Sequence, residues 1–122
     1  MKLKRFDEGQ WFDYPGVPGV RLKIKPICRK DFIDMKSEAK ARFGGEFDFS
    51  YYEWGGMKAC LIEWTGIEFE GSENPSREAM LVSIYNETGL RDFILQKAQE
   101  IFIKEQGKLD GELKNSESSQ SG

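Results

Sequence analysis

Cys28, Cys60 and the acids Glu63, Glu68, Glu70, Glu73 and Glu78 are the side chains whose types could support chemistry in this 122-residue chain. Thiols could ligate zinc, and clustered carboxylates could act as general acid and base or hold a hard cation. Neither set has the partners such work requires. The chain contains no histidine, which removes the usual general base, the imidazole metal ligand and the commonest activator of a nucleophile together. Two isolated cysteines without histidine do not make a structural zinc site, and they read better as reduced core thiols than as a disulfide. The glutamates are irregularly spaced and lack the Asp/Asn ladder of a calcium loop, so they read as a solvated acidic loop. Ser72 in "GSENP" has no glycine two residues later, as a nucleophile elbow needs. Gly16-Val17-Pro18-Gly19 matches neither phosphate-loop pattern and is left as a turn. The expectation is a protein that is not an enzyme, with no catalytic residue, metal or cofactor.

Binding features are more prominent. Arg21, Lys23 and Lys25 alternate with Val20, Leu22 and Ile24, which puts the basic residues on one strand face and the apolar ones on the other. With Trp11, Phe12 and Tyr14 nearby, this row would suit a polyanion or an acidic protein partner. A net charge of −3 argues against nucleic acid as the general partner. The bland alternative is the wet side of a small sheet, charged against wrong edge pairing. Apolar surface is the second feature: three Trp, four Tyr and nine Phe exceed what short elements hide, and aromatics are favoured at protein interfaces. "AMLVSIY" is apolar nearly all round, so Met80, Leu81, Ile84 and Tyr85 are candidate protein-binding residues. Trp11, Trp54 and the off-stripe Ile103 join them.

The elements that must position these residues follow from periodicity and punctuation. Residues 10–14 and 20–27 flank a Pro/Gly turn and read as a β-hairpin that Pro26 ends. Phe32, Met35, Ala39 and Phe43 recur at helical steps over 30–43, with Gly44-Gly45 as the stop. Ser50 to Glu53 fits a capping box, and the helix it opens would carry Trp54, Met57, Cys60, Leu61 and Trp64 on one stripe. Gly55-Gly56 argues against that helix. A strand through Cys60, Ile62 and Trp64 is the competing reading; the helix is preferred. Asn74 and Pro75 offer a cap and first turn for the next helix, with Glu78 at its positive end. Gly89 closes it. A last helix carries Leu90, Ile94, Ala98, Ile101 and Phe102 as its stripe, with Phe93 at the edge. Residues 107–122 are polar and serine-rich and are expected to stay unordered.

The predicted fold is therefore α+β: an N-terminal β-hairpin on a bundle of about four short helices, in a single domain over 1–106 with a disordered tail over 107–122. Hydrophobic residues at 39% and charged ones at 32% are the composition of a soluble protein with a modest core. No apolar run approaches the roughly 18–20 residues of a membrane span, and "MKLKRFDEG" lacks a signal-peptide apolar region, so an intracellular protein is expected.

The turn and strand "PGVPGVRLKIKPICRKDF", the block "LIEWTGIEFEG", the helix start "NPSREAML" and the closing "LRDFILQKA" together resemble the small tail assembly chaperones of long-tailed bacteriophages. The likeness spans about residues 10–100, and its most telling part is Trp64-x-Gly66-Ile67 with Gly71 beyond. It implies a small, mainly helical protein that binds the tape-measure protein in the host cytoplasm. There it would keep that long chain soluble and help tail-tube polymerisation begin. The tail tube protein is a second implied partner, self-association is implied as well, and the finished virion would lack the protein. The alternatives are a nucleic-acid-associated or regulatory binding module using the basic strand, or a structural head–tail joining protein.

Overall fold

The computed structural model describes the backbone except at residues 4, 6, 44–48, 72 and 122, and side chains except at those positions and at 39, 42–50 and 106–122. The alternation around Leu22 builds a strand, as expected. β1 (Gln10–Asp13) and β2 (Arg21–Ile24) pair antiparallel, with Phe12 opposite Leu22 and Asp13 opposite Arg21. Val20, Leu22 and Ile24 are buried. Each such side chain contributes about 1.5–3 kcal/mol relative to exposure.

The sheet has a third strand. β3 (Leu61–Thr65) pairs antiparallel with β2, in the order β1-β2-β3. It follows α2 (Phe49–Cys60) with no intervening loop. The preferred helix through Trp64 is thus correct to Cys60 and wrong beyond it. The cause of the error is visible in the register. Lys23 faces Glu63 while Ile24 faces Leu61, so Ile62 is an extra residue in the ladder. This bulge places the inward-facing Leu61 and Trp64 three residues apart, which is the step of a helix and not of a strand. The last carbonyl of α2 does not go unpaired, because Cys60 O accepts from the Lys25 N–H at 2.8 Å, as a buried helix end requires.

Two glycines inside α2 are explained by what they touch. A β-carbon on Gly55 would stand 2.7 Å from Met35 Sδ of α1 (Arg29–Phe43), and one on Gly56 would stand 3.2 Å from Ile27 Cδ1 and 3.5 Å from Leu95 Cδ2. Close approach of neighbouring elements thus outweighs a propensity loss of about 1 kcal/mol per glycine. The predicted capping box is displaced. α2 begins at Phe49, which puts Ser50 inside the first turn, and the Ser50 side chain lies outside the described residues, as do Ala39 and Phe43.

α3 (Arg77–Asn86) starts two residues later than Asn74-Pro75 suggested. Ser76 is its N-cap, in extended geometry, and its hydroxyl oxygen accepts from the Ala79 N–H at 3.1 Å. Glu78 lies in the first turn as expected. The helix ends at Glu87, not Gly89, with the Glu87 N–H donated to Ile84 O. α4 (Thr88–Ser121) follows at once, and Gly89 sits in its first turn beneath the Tyr14 hydroxyl, which stands 2.6 Å from where a β-carbon would be. The backbone of 107–121, in the tail expected to stay unordered, continues α4, and the side chains of 107–122 lie outside those described.

The core lies between one face of the sheet and helices α2, α3 and α4. Leu22, Ile24, Met57, Cys60, Leu61, Leu81, Ile84, Ile94, Ala98 and Ile101 form one cluster. Met35 and Tyr51 form a satellite between α1 and α2. The observed class is α+β, as the patterning indicated.

Candidate protein-binding groove

One carboxylate anchors the start of α1. Asp31 Oδ2 accepts from the Cys28 N–H at 2.9 Å, from Lys25 Nζ at 2.9 Å and from the Cys28 thiol at 3.0 Å. Burial alone would raise the Asp31 pKa, but the hydrogen bonds from Lys25 and Cys28, with the charge of Lys25, hold it below the usual carboxylate range. The helix start is thereby tied to the end of β2. That places Phe32 against Tyr52 of α2, ring centroids 5.6 Å apart and nearly parallel.

Between α1, α2 and α4 a cleft of about 670 Å³ remains. Ile27, Phe32, Tyr52, Leu95, Ala98 and Phe102 supply its apolar lining, and Glu53, Asp92, Gln96 and Gln99 its polar groups. Phe102 is 45% exposed, although it was predicted to extend the buried stripe of α4. Ile94, Ala98 and Ile101 turn into the core. Leu95 and Phe102 form a second apolar line rotated toward the cleft.

Glu53 and Asp92 of the cleft lining adjoin a cluster of rings and charges. Trp54 meets Tyr85 edge to face at 5.3 Å, Lys58 lies over Trp54, and Arg91 lies over Tyr85 at 5.2 Å. Arg91 Nε pairs with Glu53 at 3.4 Å and with Asp92 at 3.6 Å, ion pairs whose geometry leaves that buried nitrogen without a hydrogen bond.

The predicted binding residues do not form one surface. Leu81 and Ile84 are 5% and 1% exposed and belong to the core, so they are corrected from surface to interior: the apolar belt of α3 is buried on that side because it lies against α4. Met80 and Tyr85 are half-buried, and Trp54 is engaged with Tyr85. Ile103 is 59% exposed and follows Phe102 in the chain; Trp11 is 36% exposed on the outer face of the sheet. Phe32, Tyr52, Leu95 and Phe102 were not singled out for binding. The signal for the last two was present, because they lie seven residues apart, parallel to the core stripe of the same helix.

The basic row is not an open field of charge. Arg21 Nε bonds Asp13 at 3.0 Å and its guanidinium lies over Trp11 at 5.2 Å. Lys23 stands opposite Glu63 in the ladder, and Lys25 is committed to Asp31. Each basic residue therefore has an acid beside it.

Burial pushes the Cys60 thiol up to about 12, and both cysteines are free. Among the described residues no three His, Cys, Asp or Glu side chains gather as a metal site, and no helix is long and apolar enough to cross a membrane. Comparison with protein-family models, with curated proteins and with solved structures returned no match.

Proposed function

We propose that this chain is a non-enzymatic assembly factor that holds a long helical client, in the manner its resemblance to tail assembly chaperones implies. The client in that case is a tape-measure protein, held in the host cytoplasm and released before the virion is complete. The observation that supports this is the open cleft with Leu95 and Phe102 along one side and Phe32 and Tyr52 along the other. Grooves lined by apolar side chains with polar groups at their edge receive the apolar face of an amphipathic helix.

Co-expression with a tape-measure protein tests the proposal. The wild-type chain should raise the soluble fraction of the client and co-purify with it. Phe102→Asp should abolish both while the chain still folds and melts cooperatively, since Phe102 is 45% exposed and outside the core cluster. A client that stays insoluble beside the wild-type protein, or recovery of the chain from purified particles, overturns the proposal.

A further inference from the structure

We infer that the occupant of the groove is an α-helix with lysine or arginine on the flank that meets Asp92 and Glu53, an inference that rests on the assembly-factor proposal for this same site. The lining decides helix against strand. Among the described residues it consists of side chains from helices, with Leu95, Ala98 and Phe102 along α4, and of Ile27 from the segment before α1, with no strand residue. An extended segment laid there would bury N–H and C=O groups against carbon without partners, whereas a helix satisfies its own. From Leu95 to Phe102 the rise is about 10 Å, so the contact covers roughly two helical turns of the occupant.

Charge decides the flank. Among the described residues the groove is lined by two carboxylates and two amides, and by no lysine or arginine. Arg91 offsets only part of this acidity. It sits over the Tyr85 ring and contacts both acids, so Arg91, Glu53 and Asp92 together keep one net negative charge. The Asp92 side chain is 66% exposed and open to a cation.

The test uses the full-length protein and two fluorescent synthetic helices of about 15 residues. They share apolar residues at three- and four-residue steps and differ in carrying lysine or glutamate on the flanks. Anisotropy at low salt should show the lysine form binding about fivefold to tenfold more tightly, a gap that closes as salt is raised. Asp92→Lys should remove the preference, and Phe102→Asp should remove binding of both. Equal affinities, a preference unchanged in Asp92→Lys, or no binding of either peptide overturns the inference, and client co-purification by the wild-type chain would still uphold the assembly-factor proposal. A clear lysine preference without any effect on client solubility upholds the inference and sinks that proposal instead.

Discussion

Gly66 and Gly19 meet backbone to backbone: a β-carbon on Gly66 would overlap the Gly19 carbonyl oxygen, and Gly66 itself has a φ of +79°. The contact joins the end of β3 to the Pro/Gly turn, so two segments far apart in the chain constrain each other. Gly66→Ala therefore meets both backbone strain and a backbone overlap, and should cost about 3 kcal/mol or more. Gly16 also has a positive φ, +80°, but open space around it, so Gly16→Ala should cost only about 1–2 kcal/mol. Urea denaturation of the two variants measures the difference; equal losses would mean that the Gly19 contact is unimportant.

The apolar helix α3 should divide sharply into core and surface. Ile84→Ala removes a side chain that is 1% exposed and should destabilise the fold by about 2–5 kcal/mol. Val82→Ala removes one that is 42% exposed and should fall within about 0.5 kcal/mol of wild type. Calorimetry on both variants would reveal any reversal of that order, which would contradict the placement of α3.

Asp31 gives the stability a pH signature. Its folded pKa is depressed, so its contribution is complete above the unfolded value, near pH 4, and is lost as pH falls through the folded value. Asp31→Asn should cost about 2 kcal/mol at neutral pH, and the gap to wild type should close in acid. Melting temperatures measured from neutral pH into the acid range give the readout. A gap that persists below both values would show that the carboxylate charge is not what matters.

The two thiols should behave differently. Cys60 is buried and its pKa is raised from 9.0 to about 12, while Cys28 is half-buried at the start of α1. A thiol reagent at about pH 8 should label Cys28 first and reach Cys60 only after unfolding. The sign of the linkage is also set. The unfolded chain releases the Cys60 proton near 9 and the folded chain near 12, so this thiol should lower stability as pH rises across that interval. Cys60→Ala, which lacks the thiol, should show a shallower alkaline decline.

Much of the architecture was legible in the order of residues because it depends on neighbours along the chain. Val20, Leu22 and Ile24 alternate with charges and so build β2. Ile94, Ala98 and Ile101 recur at helical steps and so turn one face of α4 inward. The absence of histidine limited the available chemistry before any fold was known. Other outcomes depended on contacts between distant segments. Leu61 and Trp64 look helical until the Ile62 bulge is placed against β2. Gly55 and Gly56 look like helix breakers until Met35, Ile27 and Leu95 occupy the space they leave.

The candidate site belongs to this second group. Periodicity marked Phe32 and Phe102 as members of apolar stripes, but a stripe does not reveal where its partner ends. Only the packing of α1, α2 and α4 left Phe102 beside an open cleft while it closed the core over Leu81 and Ile84. Local pattern determined which elements form and which face of each is apolar, because those properties reside in φ, ψ and side-chain spacing. Tertiary structure decided which apolar faces cover one another and which stay uncovered, because burial is a property of pairs of surfaces.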